Sequence, residues 1–238
     1  MRSRALVLEL DALPSLREAT AARDVDVPAA ATLAELAGVD AVRLGVNGDR
    51  KPVREEDLLD ARRTARRLEL RMRPSEVLMS VALEIRPDRV LLAADGQEGR
   101  AASLPLDLRG AAPGLSALVR TLGDAGIPVS ALVQPDLDAV KRIHAEGVSG
   151  VELYTGALVD LPGAERSVAL VGLGDAARLA AKLRLNLALG GGIGFRNLRE
   201  LLEAAPAADR IAVGRAALTR AVLVGLDQSL RDLRALLT

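Results

Sequence analysis

What most limits the fold of this chain is the regular return, from end to end, of a short apolar strand signal followed by an amphipathic helix signal. Strand-like runs fall at 5–11, 40–46, 68–73, 88–94, 127–133, 150–154, 185–189 and 209–214. Between and after them, apolar residues recur at helical spacing over 28–37, 54–67, 75–86, 115–125, 136–146, 173–183, 195–204 and 221–237. Several of these helices open on capping residues, as at Ser75 and Asp136, and several stop at glycine, as at Gly38, Gly126 and Gly147. Eight such units in 238 residues, with no break in composition, predict a single domain, 1–238, closed as a (β/α)8 barrel. An open doubly wound sheet is the competing arrangement.

In a closed barrel one face of each strand packs under the helices and the other points into the lumen. Leu6, Leu8 and Leu10, then Val42, Leu44 and Val46, then Leu68, Leu70 and Met72, then Val151 and Leu153 form the apolar faces that belong under helices. The alternate positions place Glu9, Asp11, Arg43, Arg71, Arg73 and Glu152 in or above the lumen. Charges persist there only when paired or bound to a ligand. Acidic first and sixth strands facing basic second and third strands meet that demand, with Arg71 or Arg43 as partners for Glu152.

Near the C-terminal end, a strand-like run enters the glycine turn Gly190-Gly191-Gly192, and the next one ends in Gly214-Arg215. Successive glycines let backbone N–H groups close on an anion, and barrels build phosphate sites after their seventh and eighth strands. Gly190, Gly191, Gly192, Gly214 and Arg215 are therefore a candidate phosphate cradle, with ligand-free tight turns as the alternative. The segments 95–114 and 156–172 read as loops at the same mouth, the first as a lid.

Other chemistries are disfavoured. Lys+Arg and Asp+Glu balance at 32 each, which gives no reason to expect nucleic acid or an anionic membrane as partner. No apolar run is long enough to span a bilayer, and Met1-Arg2-Ser3-Arg4 does not read as a signal peptide. With no cysteine there is no disulfide or thiolate chemistry, and no ligand spacing suggests a metal. A cytoplasmic protein is the expectation. The single histidine, His144, lies inside the helix pattern 136–146, so no imidazole is expected at the mouth to act as a general base.

Leu-x-Leu-x-Leu-Asp at 6–11 with Arg17 after it, Ala-Gly-Val-Asp at 37–40, Gly-Asp-Arg-Lys at 48–51, Val-Glu-Leu-Tyr-Thr-Gly at 151–156, and the closures at 190–192 and 214 together resemble the pyridoxine 5′-phosphate synthase family over nearly the whole chain. The resemblance implies a (β/α)8 barrel that condenses 1-deoxyxylulose 5-phosphate with 3-amino-2-oxopropyl phosphate. It implies no metal or organic cofactor and a homo-oligomer, an octamer built from dimers. Carried over residue by residue, it gives Asp11, Arg17, Asp49, Arg50 and Thr155 ligand-binding roles and Glu152 a catalytic one; loop anchoring is the alternative for Asp11 and Arg17, and a solvated loop the alternative for Asp49-Arg50-Lys51. The family's strand-one Asn and His fall on Glu9 and Ala12, and the Arg beside its strand-two His falls on Asn47. That catalytic His falls on Gly45, its strand-three Glu on Arg71, and the His of its strand-seven Gly-His-Gly on Gly191. Tyr154 and Arg215 stand at two further His positions. The expectation is a retained phosphate site with the proton-transfer half largely lost. Three functions stay open: a variant but active synthase; a non-catalytic phosphate-ligand binder serving as sensor, carrier or partner of an intact synthase; and a barrel enzyme for another phosphorylated substrate, with Glu152 as acid/base and Arg71 as electrostatic stabiliser.

Overall fold

The computed structural model describes residues 4–22, 24–49, 51–96, 104–109 and 114–237. Eight strands close into one parallel barrel in chain order: β1 (Ala5–Glu9), β2 (Ala41–Val46), β3 (Leu68–Met72), β4 (Arg89–Leu92), β5 (Val129–Val133), β6 (Gly150–Tyr154), β7 (Asn186–Gly190) and β8 (Arg210–Val213). The ring is sealed by β8 pairing with β1, Leu8 opposite Val213. It is a TIM barrel, and the open-sheet alternative is excluded by that pairing.

The helices are α1 (Ala12–Thr20), α2 (Val27–Leu36), α3 (Glu55–Thr64), α4 (Glu76–Ile85), α5 (Leu115–Asp124), α6 (Leu137–Ala145), α7 (Gly163–Lys182), α8 (Leu198–Ala204), α9 (Arg215–Val224) and α10 (Leu226–Ala235). The main core lies between barrel and helices. It contains every residue expected on the outer strand faces, from Leu6, Leu8 and Leu10 through Met72 to Val151 and Leu153. Among the described residues no helix is long and apolar enough to cross a membrane.

Four expectations about elements need correction. The first strand stops at Glu9, and Asp11 is instead the residue that precedes α1. No helix is expected there from the apolar pattern; Pro14 is nonetheless accommodated, because the N–H groups of a first turn have no helical acceptor. The loop expected over 156–172 contains one 3-10 turn, Gly156–Leu158, and then the first half of α7. Here Gly172 sits inside a helix rather than in front of one, and the inward Ala169 and Leu170 are interleaved with the exposed Val168 and Val171, which blurs the apolar stripe. The single helix expected over 221–237 is two, α9 and α10, broken at Gly225. Most of the expected lid at 95–114 lies outside the described residues; its described part pairs Ala94 with Leu104 and bonds Leu106 N–H to the Leu132 carbonyl.

Candidate functional site

The lumen is occupied by charge. Arg43, projecting inward from β2, is only 2% exposed. Its Nε and Nη2 donate to Glu69 at 3.0 and 2.8 Å, Nη1 and Nη2 donate to Glu152 at 3.0 and 2.7 Å, and Nη1 also donates to Glu9 at 3.1 Å. Glu69 is bonded in turn by Arg210 and lies 3.8 Å from Arg89, which donates to the Ser130 hydroxyl at 2.8 Å. Three arginines and three glutamates thus neutralise one another along the barrel axis. Small apolar clusters fill the rest: Val7, Ala41 and Ala212 on one side, and Leu91, Ala93 and Leu132 under Tyr154 on the other.

Burial works against the Arg43 cation, but Glu152, Glu69 and Glu9 outweigh it and hold its pKa well above the usual arginine value. Burial pushes the Glu152 carboxyl up, and Arg43 only partly offsets this because two other carboxylates share the same guanidinium. Arg89, buried beside Arg210, is pushed down. Glu69 is not among the lumen charges expected from sequence, although strand alternation puts it inward and its register partner is Arg43; reading the two strands side by side would have found it.

Above this layer sits a second pair. Asp11 is buried at the mouth, where Oδ1 accepts the Gly45 N–H at 2.6 Å and Oδ2 meets Arg71 Nη2 at 2.8 Å. Burial raises its carboxyl, with Arg71 opposing. Arg73, expected in or above the lumen, is half-exposed and pairs with Asp95 at 3.3 Å. Arg17 reaches sideways instead of toward the mouth: it forks onto Asp57 at 2.8 and 2.7 Å and onto the Pro52 carbonyl, tying α1 to the start of α3, with its Nε buried and unbonded. Asp49 is exposed and caps the Lys51 N–H at 3.1 Å. Arg50 lies outside the described residues.

The glycine closure forms as expected in outline. Gly191 and Gly192 have φ of 86° and 69°, which side-chain-bearing residues rarely adopt. Thr155, fully buried, anchors the turn: its N–H donates to the Gly190 carbonyl at 2.8 Å and its hydroxyl to the Gly191 carbonyl at 2.5 Å. A Cβ on Gly191 would fall 2.6 Å from the Tyr154 ring. Gly194 lies against Ala216, so the turn after β7 abuts the first turn of α9. Gly214 precedes that helix without a side-chain cap, and Arg215, its first residue, is exposed with no ion-pair partner among the described residues. The face of Gly214 toward the lumen is lined by Glu9, whose Cβ lies 3.1 Å from where a Gly214 Cβ would stand. His144 is exposed in the last turn of α6, at the end of the barrel where β6 begins, opposite the mouth. Among the described residues no group of carboxylates or histidines is disposed to hold a metal.

Against known proteins, residues 6–238 match the profile of the family described as "Pyridoxal phosphate biosynthesis protein PdxJ". Two relatives named pyridoxine 5′-phosphate synthase are each 33% identical to the chain. One, from Geobacter metallireducens, aligns over 96% of both chains. The other, from Synechococcus sp. (strain CC9605), aligns over 97% of this chain and 93% of its own. Among solved structures, KGPDC from Streptococcus mutans superposes with a TM-score of 0.65 at 13% identity, covering 98% of this chain and 97% of its own. A thiamine phosphate pyrophosphorylase from Pyrococcus furiosus gives 0.61 at 16%, covering 99% and 96%. At such identities the two structures bear on the fold alone.

Proposed function

The chain belongs to the PdxJ family of pyridoxal phosphate biosynthesis proteins, and on that premise we propose that it is a pyridoxine 5′-phosphate synthase-like barrel that binds a phosphorylated metabolite of vitamin B6 synthesis and performs the family condensation slowly or not at all. The binding half rests on the mouth's backbone. The turn at Gly191 and Gly192, the uncapped start of α9 and the exposed Arg215 offer N–H groups, a helix dipole and a cation to one anion. Thr155 holds that turn through its N–H and its hydroxyl.

The catalytic half rests on one observation. Glu152, the acid that keeps the family's position, is bonded through both oxygens to Arg43 at 3.0 and 2.7 Å, and the chain's single imidazole is at the other end of the barrel. A condensation needs groups that take and return protons at the reacting atoms. Here the candidate carboxylates are counter-ions: Glu152 to Arg43, Asp11 to Arg71. The same bonding disfavours a repurposed enzyme with Glu152 as acid/base. No metal or organic cofactor is called for, and a biosynthetic role with balanced charge accords with a cytoplasmic location.

The test is to incubate the purified protein with 1-deoxyxylulose 5-phosphate and 3-amino-2-oxopropyl phosphate and follow pyridoxine 5′-phosphate and released phosphate. No turnover is expected; turnover at ordinary enzyme rates overturns the catalytic half. In parallel, B6 vitamers and phosphorylated sugars are screened by thermal shift against the wild type and Arg215→Ala. Stabilisation that weakens in the variant is expected, and none in either protein overturns the binding half.

A further inference from the structure

Gly45 and Arg71 face each other in register on β2 and β3. Both point to the mouth, and a Cβ built on Gly45 would overlap the Arg71 guanidinium, with Cζ at 2.7 Å. The same glycine donates its N–H to Asp11 at 2.6 Å, and Asp11 receives Arg71 on its other oxygen at 2.8 Å. One residue therefore does two things at once: its backbone aims the acid, and its missing side chain leaves the volume in which the cation lies. The Arg71 side chain is 11% exposed and the Asp11 side chain 8%, so the pair is largely withdrawn from water. The Nε–Nη2 side of the guanidinium is what lies over Gly45, with Nη2 also at Asp11; an extended, weakly hydrated guanidinium suits such a place better than a compact, strongly hydrated ammonium.

We propose that Gly45 and Asp11 form a guanidinium receptor at the barrel mouth, occupied in cis by Arg71, and that this occupancy closes the β2–β3 side of the lumen. The receptor stands whether or not the mouth binds phosphate. A similar exchange lies across the barrel, where the Tyr154 ring covers Gly191 and its hydroxyl end covers Gly156. On both sides a large side chain rests on a glycine that has left it room. Positions 45 and 71 accordingly behave as a unit: a larger residue at 45 is tolerated only when 71 withdraws, and loss of Arg71 leaves a vacancy shaped for its head group.

The experiment is a thermal-denaturation cycle on the full chain with wild type, Gly45→Ala, Arg71→Ala and the double variant, with and without low-millimolar methylguanidinium and with methylammonium at equal ionic strength. Gly45→Ala is expected to lower the wild-type Tm by about 5 °C through overpacking but to leave the Arg71→Ala Tm unchanged, a non-additivity that marks direct contact. Methylguanidinium should raise the Tm of Arg71→Ala in a saturable way, as a ligand of the native state does. It should not raise that of the wild type or the double variant, and methylammonium should raise none. Arg71→Gln, shorter and neutral, carries the cycle should the alanine variant not fold. Additive shifts, or equal effects of the two cations, overturn the proposal. Both outcomes are read without substrates or phosphate, so they are distinct from the assays of the proposed function.

Discussion

Arg43 shares one guanidinium among three carboxylates, and that ratio makes a prediction about its removal. Breaking a buried ion pair from one side leaves uncompensated charge, and here Arg43→Met would strip Glu9 and Glu152 of their partner while Glu69 keeps Arg210 and Arg89. The variant should lose about 3–5 kcal/mol at neutral pH and regain part of it in mild acid, as the orphaned carboxylates take up protons; urea denaturation at the two conditions checks both. The wild type should have its own acid dependence. Burial holds the Glu152 and Asp11 carboxyls above their ordinary 4.5 and 3.8, so the native state keeps those protons more tightly than the unfolded chain. Their contribution is full below those values and is lost as pH rises through the higher native ones. Asp57 runs the other way: against the effect of burial, Arg17 and the Arg54 N–H hold it below 3.8, and its contribution is lost as pH falls through that lowered value. Strand alternation made Glu9, Arg43 and Glu152 legible as inward residues because the two-residue period admits no other choice. That Arg43 rather than Arg71 meets Glu152 was not legible, since β2 and β6 face one another across the lumen and only the closed barrel sets that distance.

At the scale of elements, the strands were legible nearly to their ends, because apolar faces that must lie under helices announce themselves in sequence. Helix ends were less legible. Gly225 is the instructive case: its φ of 83° and ψ of 157° belong to a region that is nearly glycine's alone, yet a Cβ there would meet nothing within 4 Å. The break between α9 and α10 is therefore a backbone requirement with no packing signature, and an apolar stripe running past it suggests one continuous helix. Gly225→Ala is expected to cost about 1–3 kcal/mol from backbone strain alone, measured by urea unfolding. A neutral result would mean that the two helices fuse without penalty. Likewise α1 tied to α3 by Arg17 and Asp57 was invisible in sequence, because the partners lie 40 residues apart and neither carries a pattern that names the other.

For the molecule as a whole, closure of the sheet removes free strand edges, so further association does not proceed by edge-strand pairing. Val168 and Val171 on α7 are 73% and 63% exposed, and Val222 and Leu223 on α9 are each 84% exposed. Apolar side chains this open on the outer ring accord with the homo-oligomer that the family resemblance implies. Size-exclusion chromatography with light scattering is expected to give a multiple of the single-chain mass, and Val168→Asp with Val171→Asp or Val222→Asp with Leu223→Asp to reduce it; a single-chain mass for the unaltered protein would rule the assembly out. The resting place of Tyr154 has a practical consequence. The chain has no tryptophan and this is its one tyrosine, and the ring lies against the glycine turn after β7. Ultraviolet emission of the unlabelled protein above that of its lone phenylalanine thus comes from a single chromophore at the barrel's opening, so whatever docks on that turn will dim, brighten or shift a signal that nothing else in the fold contaminates.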